Sequence, residues 1–180
     1  MSKIFAILET RTRHDFSGYK TNFILRRLER RLAFHKLTSL SHYAALLNRR
    51  PGEADLLLRE LSVGVTHFFR DKPAFDSLER KVIPKLVSTG TVRGKIRIWC
   101  AGCSTGQEAY SIAILLAERM ERHAKKIPIT LFATDIDARS IQVARSGTYP
   151  AQDLEGISQE RRSRFFTSMD GGLRYRIRKT

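Results

Sequence analysis

The sequence predicts an α + α/β protein, in which a small N-terminal helical domain precedes the first part of a doubly wound α/β domain. Apolar residues recur at helical spacing through most of residues 1–87. After a segment rich in Ser, Thr and Gly at 88–94, short β-branched runs alternate with helical patterns, which is typical of parallel α/β sheets. We therefore expect a helical domain at 1–87, a linker at 88–94 and a partial α/β domain at 95–180.

Amphipathic segments predict the helices of the first domain. They lie at Phe23–Leu37, Ser41–Asn48, Glu53–Val63 and Lys72–Leu86. Leucines at helical spacing form the expected buried stripe of the first helix: Leu25, Leu28 and Leu32. Ser41 and Asp71 are the expected N-caps, and Pro84 is expected to kink or end the fourth helix.

The second domain is predicted to begin with two parallel strands, each followed by a helix. The strands are expected at Lys95–Cys100 and Ile129–Thr134, and the helices at Gln107–His123 and Ala138–Ser146. Gly147 is expected to end the second of these helices. Two parallel strands do not make a stable sheet, so some apolar side chains are expected to lack neighbours on at least one side. These are Ile96, Ile98, Leu131 and Ala133.

The C-terminal tail predicts a different pattern. A short helix is expected over Ser158–Phe166, and Asp170–Gly172 carries a turn signal. Beyond the turn, apolar residues alternate with arginines over 173–178, which predicts a half-buried strand.

Composition and charge exclude several protein classes. The 180 residues are 42% hydrophobic and 28% charged, which is typical of a globular chain. No apolar run approaches the length of a bilayer span, and the first residues lack the pattern of a secretory signal. Two cysteines cannot form a disulfide framework. We therefore expect a cytoplasmic protein without membrane insertion.

Positive charge is concentrated near the N-terminus. The chain carries 33 Lys and Arg against 18 Asp and Glu, and residues 1–50 alone carry 11 against 3. In the first predicted helix, Arg26 and Arg30, and likewise Arg27 and Arg31, project from successive turns. Such a surface is either a solvated helix face or a recognition surface for an acidic partner. Nucleic acid is the weaker form of the second interpretation, because no zinc-finger spacing or RNP-type aromatic motif accompanies the arginines.

The loop between the first strand and its helix is a candidate ligand site. Its sequence over 99–109, WCAGCSTGQEA, places Gly102 and Gly106 around a turn before a helix N-terminus, whose free N–H groups favour anions. No Lys follows Gly106, so a nucleoside triphosphate is disfavoured. Asp135, at the end of the second strand, can accept both hydroxyls of a ribose. The glycines alone are equally consistent with a plain tight turn, but together with Asp135 they favour a nucleoside-type ligand.

Four other residues have competing interpretations. Glu108 either stabilises the start of its helix or binds the ammonium group of a ligand. Arg70, beside two phenylalanines expected to be buried, either caps or pairs with a neighbouring group or contacts a ligand. Cys100 and Cys103 have redox C-x-x-C spacing, but the predicted helix begins beyond both, which favours two small loop residues. A zinc site would need a second ligand pair, so no metal is expected.

Three motifs, in this order and spacing, resemble the CheR-type chemotaxis-receptor glutamate methyltransferases. They are GVTHFFRD at 64–71, GCSTGQEAYSIA at 102–113 and FATDID at 132–137, and RSGTY at 145–149 extends the likeness. The resemblance implies a small helical domain followed by a Rossmann-like domain that binds S-adenosylmethionine. It implies methylation of glutamate side chains on the cytoplasmic helical bundles of chemotaxis receptors.

The resemblance also implies roles for individual residues. Thr66 and Arg70 would approach the cofactor, with Arg70 as the candidate catalytic residue. Gly102 would lie in the cofactor loop, Glu108 would bind the methionine ammonium, and Asp135 would bind the ribose. The arginine-rich helix matches the family's receptor-docking helix, which explains a positive surface that meets Glu-rich partners.

The family continues beyond the point where this sequence ends. Its later strands, with a Cys-Arg-Asn segment and a following Tyr, complete the cofactor and substrate site. The resemblance therefore predicts an N-terminal portion that shows no receptor methylation on its own, whereas a chain extended through those strands is expected to be active. Two other functions stay open at this point: a receptor-docking module without catalysis, and a basic nucleic-acid-binding domain.

Overall fold

The chain divides into two units, Met1–Val63 and Gly64–Thr180. The structure, a computed structural model, describes residues 1–62, 64, 66–88, 94–122 and 127–178. The division falls earlier than the predicted linker at 88–94, of which residues 89–93 lie outside the described residues. The helix that ends at Ser88 belongs to the second unit because its side chains share a core with the first strand and its helix. That core comprises Ile83, Val87, Ile96, Leu115 and Leu116.

Four helices enclose the core of the first unit. They are α1 (Ser2–Thr12), α2 (Thr21–Phe34), α3 (Leu40–Arg49) and α4 (Pro51–Leu61). The core includes Ile4, Leu8, Phe16, Ile24, Leu28, Tyr43, Leu47, Leu57 and Leu61. The sequence pattern did not predict α1 as a separate helix. The N-cap of α3 is Ser39, whose hydroxyl accepts the His42 N–H, so the prediction of Ser41 as the cap is wrong.

The buried side of α2 contains Leu28 of the predicted leucine stripe, but not Leu25 or Leu32. Ile24, Leu28 and Arg31 are buried, whereas Leu25 and Leu32 are only half-buried. The inward positions follow i, i+4 and i+7, which is one stripe of a helix. An arginine therefore occupies a core position of this unit.

Arg31 is held in the core by a buried ion pair with Glu53 of α4. Its Nε and Nη2 atoms donate to the two carboxylate oxygens at 2.9 and 2.7 Å, and the Tyr43 hydroxyl donates to Oε1 at 2.6 Å. His35 Nε2 lies 2.9 Å from Oε2. Burial raises the pKa of the Glu53 carboxyl, but the hydrogen bonds outweigh burial, and the pKa lies below its usual value. Arg31 is therefore not an exposed cation, and its prediction as a docking residue is corrected.

The second unit begins with a helix that passes through Pro84. It comprises α5 (Lys72–Ser77), a π-helical segment (Leu78–Val82) and α6 (Ile83–Ser88) in direct succession. The wider π turn precedes the proline, which lacks an N–H to donate, so the helix continues beyond the position where a kink or stop was predicted. Asp71 is the N-cap of α5, as predicted, although its side chain makes no capping hydrogen bond.

Two parallel strands follow, with a helix after each. Strand β1 (Ile96–Ala101) pairs with β2 (Ile129–Thr134) from Ile96↔Ile129 to Ala101↔Thr134. Helix α7 (Gln107–Glu121) follows β1, and α8 (Ala138–Ser146) follows β2 and ends, as predicted, at Gly147. Ile96 and Cys100 are buried, whereas Trp99 and Phe132 on the opposite face are 71% and 45% exposed. Within the described residues, the face of Trp99 and Phe132 lacks cover, and so does Ala133 on the other face. The prediction of an uncovered side chain is therefore wrong for Ile96 and confirmed for Ala133, while Ile98 and Leu131 are half-buried.

A small antiparallel sheet completes the second unit. Its strand order is β3 (Thr148–Pro150), β5 (Arg174–Ile177), β4 (Phe166–Met169), and α9 (Gln159–Phe165) precedes β4. Short 3-10 turns lie at Ala151–Leu154 and Asp170–Gly172. The sequence predicted β5 but neither β3 nor β4. In the part of the chain that the structure describes, no helix is both long and apolar enough to span a membrane.

We expect Arg31→Gln to destabilise the first unit strongly, because it leaves the Glu53 carboxylate buried without its main partner. Breaking a buried pair in this way costs about 3–5 kcal/mol. Arg30→Gln is the matched control, since the Arg30 side chain is 66% exposed and lies 3.8 Å from Glu60. Urea unfolding followed by circular dichroism measures both variants. Equal stability of the two variants would contradict the assignment of the buried pair.

Candidate functional site

The segment Gly64–Asp71 is anchored by its two phenylalanines. Phe68 is buried and makes edge-to-face contacts with Tyr149 and Phe166, with ring centroids 5.1 and 5.4 Å away. The Phe69 N–H donates to Ser111 Oγ at 2.9 Å. Phe68 is therefore fixed against the small sheet, and Phe69 against α7. The sequence predicted that both would be buried, but Phe69 is only half-buried.

Arg70 lies between two residues with left-handed backbone. Phe69 has φ +52° and Asp71 has φ +56°, which is an unfavourable region for residues with a side chain. The Arg161 guanidinium covers the Phe69 ring at 4.6 Å and forms two hydrogen bonds of 2.8 Å with Glu118. Such strained backbone persists only where surrounding contacts hold it, and it is concentrated at functional sites. Thr66 on the same segment is half-buried, and Arg70 is exposed.

The glycine loop after β1 is tied to the end of β2. The N–H groups of Gly102 and Cys103 both donate to the Thr134 carbonyl, at 2.8 and 2.9 Å. Gly102 has φ +72°, and a β-carbon there would meet no atom within 4 Å. Gly106 has φ +97°, and a β-carbon would lie 2.8 Å from that of Ala144. Gly106 therefore serves packing, while Gly102 leaves the backbone open to a ligand.

Asp135 links the two loops that follow the strands. Its Oδ2 accepts the Ser104 N–H at 2.7 Å, and its Oδ1 accepts the Asp137 N–H at 2.9 Å. Each carboxylate oxygen can accept a further hydrogen bond, so these contacts leave capacity for two hydroxyl groups. The sequence predicted Asp135 as a ribose ligand, and the structure adds a positioning role for the same carboxylate.

Ser104 is a residue of this loop that the sequence pattern did not predict to be buried. It is 9% exposed and has φ +48°, again in the left-handed region. Among the described residues its Oγ has no hydrogen-bond partner, although the atom is buried. The local sequence of a small-residue loop does not distinguish a buried serine from an exposed one. No local signal could therefore have predicted the burial of Ser104.

Glu108 is exposed in the first turn of α7, where the helix dipole favours an anion. The Cys100 thiol donates to its Oε1 at 3.2 Å. Burial, with Glu108 adding to it, raises the pKa of Cys100 to about 12, and burial raises the pKa of Cys103. Both thiols are protonated at neutral pH, which disfavours thiolate redox chemistry and supports their interpretation as small loop residues.

Hydrogen bonds connect the elements that carry the predicted site residues. Ser111 Oγ donates to the Gln107 carbonyl at 2.7 Å and accepts from Phe69, which joins the start of α7 to the segment of Thr66 and Arg70. Ser104 and Asp135 join the glycine loop to the end of β2. Arg26, Arg27, Arg30 and Arg31 lie in the first unit and are not part of this arrangement.

The arrangement suits a nucleoside ligand with a charged tail. A carboxylate at the end of β2, an exposed carboxylate in the first turn of α7 and an open glycine between them offer acceptors for hydroxyl and ammonium groups. The residues present therefore fit S-adenosylmethionine, which has two ribose hydroxyls and an amino-acid end.

Comparison with known proteins identifies the same family in both units. The CheR methyltransferase all-alpha domain matches residues 1–62, and the CheR methyltransferase SAM binding domain matches residues 64–180. These ranges agree with the division of the structure after residue 63. S-adenosylmethionine, the cofactor that the motifs implied, is the ligand of the matched domain.

Several curated proteins are similar to the chain. Chemotaxis protein methyltransferase 2 of Pseudomonas aeruginosa is 35% identical over 150 residues, which cover 82% of this chain and 50% of that protein. The chemotaxis protein methyltransferase of Escherichia coli is 33% identical over 153 residues, which cover 83% and 50%. An uncharacterized 104.1 kDa protein of Rhodobacter capsulatus is 35% identical over 182 residues, covering 100% of this chain and 19% of that protein.

The chain spans about half the length of the chemotaxis methyltransferases that it matches. The two domain matches nevertheless account for nearly all of its 180 residues. With the three motifs, the division into two units and the site geometry in agreement, the chain belongs to the CheR methyltransferase family.

Proposed function

We propose that this chain carries the cofactor-binding and receptor-docking parts of a protein-glutamate O-methyltransferase that modifies chemotaxis receptors in the cytoplasm. The observation that carries the proposal is the Asp135 carboxylate, which lies at the end of β2 and is held against the glycine loop by the Ser104 N–H. This is the position at which doubly wound domains bind a ribose. The names of the relatives support the chemotaxis role.

Each predicted site residue has a role in this proposal. Asp135 accepts the ribose hydroxyls, Glu108 binds the ammonium group, and Gly102 allows close approach to the backbone. Thr66 and Arg70, on the segment anchored by the two phenylalanines, contact the cofactor. Arg70 is also the proposed catalytic residue, which contacts the reacting groups. When bound, S-adenosylmethionine supplies a methyl group on a positively charged sulfur.

The reaction requires the protein mainly to align the carboxylate oxygen with the methyl group. A glutamate carboxylate is already ionised at neutral pH, so it needs no general base before its oxygen accepts the methyl group as an ester. Holding the two reacting atoms in line converts a bimolecular step into an effectively unimolecular one. The Ser111 hydrogen bond and the Arg161 guanidinium serve this purpose, because both hold Phe69, the residue before Arg70.

The basic surface of α2 fits an acidic receptor. We define it by Arg26, Arg27 and Arg30, now without Arg31. Arg26 and Arg30 are exposed, and the Arg27 guanidinium lies 5.4 Å from the centre of the Phe23 ring. Three cations on one side of a helix attract a Glu-rich helical bundle and accelerate its association.

We expect Asp135→Ala to lower the affinity for S-adenosylhomocysteine by at least about tenfold. The variant loses one or two charge-assisted hydrogen bonds of about 1.5–3 kcal/mol each. Calorimetry on this chain extended through the later strands of the family measures the affinity. Asp76→Ala is the matched control, since within the described residues Asp76 pairs with Lys72 at the surface of α5.

A second ligand separates ribose binding from the loop contacts of Asp135. The 2′,3′-dideoxy analogue of S-adenosylhomocysteine lacks both hydroxyls, so its affinity should change little in Asp135→Ala. Equal losses for the two ligands would mean that Asp135 only positions the loop, and unchanged affinity for both would refute the ribose assignment.

We expect the triple variant Arg26→Gln, Arg27→Gln, Arg30→Gln to bind a receptor bundle fragment about tenfold more weakly, since exposed pairs contribute up to about 1 kcal/mol each. Its melting temperature should stay near that of the unaltered protein, because the core of the first unit is untouched. Binding by the unaltered protein should weaken with added salt.

The control for the docking surface is a triple Gln variant of exposed arginines in the second unit. These are Arg80, Arg122 and Arg139. Equal binding by the α2 variant and this control would support the solvated-face interpretation. Receptor binding without cofactor binding would identify a docking module without catalysis, and duplex DNA that competes equally with the receptor fragment at the same salt would favour nucleic acid.

A further inference from the structure

One side of α2 carries aromatic and basic side chains in a single stripe. Its five residues are spaced at i, i+3, i+4, i+7 and i+11: Phe23, Arg26, Arg27, Arg30 and Phe34. Residues at this spacing lie on one side of a helix, and the rise of the helix makes the stripe about 16 Å long. The buried residues of α2 are different ones. The helix therefore has a second stripe, which we call the aromatic–basic stripe.

Phe34 is the exposed end of this stripe. It is 71% exposed, whereas Phe23 at the other end is half-buried, and the centre of its ring lies 5.4 Å from the Arg27 guanidinium. A single exposed apolar side chain is ordinary on a protein surface. Phe34 differs because it is aligned with three arginines, and aromatic and arginine side chains are the ones enriched among residues that carry binding energy.

The Phe34 ring is held in place by residues of the buried ion pair. The Arg31 guanidinium lies 4.9 Å from the centre of the ring, and the His35 ring meets it edge-to-face at 5.0 Å. Arg31 is in turn fixed by its two hydrogen bonds to Glu53. A side chain that is already ordered loses less conformational entropy when a partner covers it. Phe34 is therefore a preorganised apolar contact at the end of the basic surface.

The charge of the stripe favours an acidic partner over a second copy of this chain. In a symmetric dimer the same surface meets itself, so the three arginines would face like charges. The spacing of the stripe suits a partner that is itself helical, because helices pack along rows of residues three and four positions apart. A bundle with exposed glutamates offers carboxylates to the arginines, and the gap between two of its helices accepts an aromatic ring.

We propose that Phe34 is the apolar anchor of receptor docking. Its ring enters a gap between two helices of the acidic receptor bundle, while the arginines of the basic surface pair with surrounding glutamates. The inference rests on the proposed function, which supplies the partner, and it adds a contact that positive charge does not provide. The arginines mainly accelerate association, whereas burial of the ring mainly slows dissociation. The two contributions therefore differ in their response to salt.

The test measures association and dissociation rates with a cytoplasmic bundle fragment of a chemotaxis receptor. In this chain extended through the later strands of the family, Phe34→Ala should lower the affinity at least about tenfold. The loss should come from faster dissociation and should be equal at low and high salt. Phe34→Leu should restore part of the affinity, because leucine fills part of the same gap. Surface plasmon resonance measures both rates for each variant.

A second fragment, with its glutamates replaced by glutamine, separates the ring from the charges. Phe34→Ala should lose affinity for both fragments by the same factor, whereas the triple variant of the basic surface should lose affinity only for the glutamate fragment. Leu173→Ala is the matched control, since Leu173 is 72% exposed and lies in the second unit, and its binding should equal that of the unaltered protein. The melting temperature of Phe34→Ala should stay unchanged, because the ring is mostly exposed.

The outcomes distinguish this inference from the proposed function. Unchanged affinity of Phe34→Ala, in a protein whose binding the triple variant weakens, overturns the Phe34 contact and leaves the basic surface intact. A lower melting temperature of Phe34→Ala also overturns it, since the ring would then have a structural role. So does a dimer of this chain, detected by sedimentation, that Phe34→Ala dissociates without changing the receptor affinity. If the unaltered protein does not bind the receptor fragment, the docking part of the proposed function fails, and the inference falls with it.

Discussion

The candidate site depends on one carboxylate, that of Asp135, which joins the loops after both parallel strands. Its two oxygens accept N–H groups from Ser104 and Asp137, while the Thr134 carbonyl accepts those of Gly102 and Cys103. These bonds hold the glycine loop over the ends of β1 and β2, and the loop leads into α7 with Glu108 in its first turn. Without them, the strand ends would still pair, but the ligand-binding groups would have no fixed spacing.

A second constraint acts on the segment that carries Arg70. Phe69 and Asp71 adopt backbone conformations that their side chains disfavour, and the surrounding contacts compensate. Ser111 accepts the Phe69 N–H, and Arg161, itself paired with Glu118, covers the Phe69 ring. The strain is thus stored next to the proposed catalytic residue, where a preorganised geometry matters most for methyl transfer.

The arginines of α2 have two different roles, a buried ion pair and an exposed basic surface. Their spacing in the sequence does not show which arginine has which role. Arg31 lies in the core and neutralises Glu53, whereas Arg26, Arg27 and Arg30 form the basic surface. The buried pair stabilises the helix that presents the surface, so charge in this unit serves both stability and proposed recognition. A substitution that treats all four arginines alike would therefore confuse loss of fold with loss of docking.

Local signals sufficed for much of the fold. Gly147 ends α8 as predicted, and the predicted bounds of β2 and α8 agree with the structure. The motifs likewise identified the family, because ligand chemistry demands particular residues at fixed spacing. Tertiary structure alone decided the burial of Arg31, the pairing of β3 and β4 with β5, and the unpartnered Ser104 hydroxyl. Each of these depends on residues far along the chain, such as Glu53 for Arg31 and β5 for β3 and β4, and periodicity within one element carries no information about them.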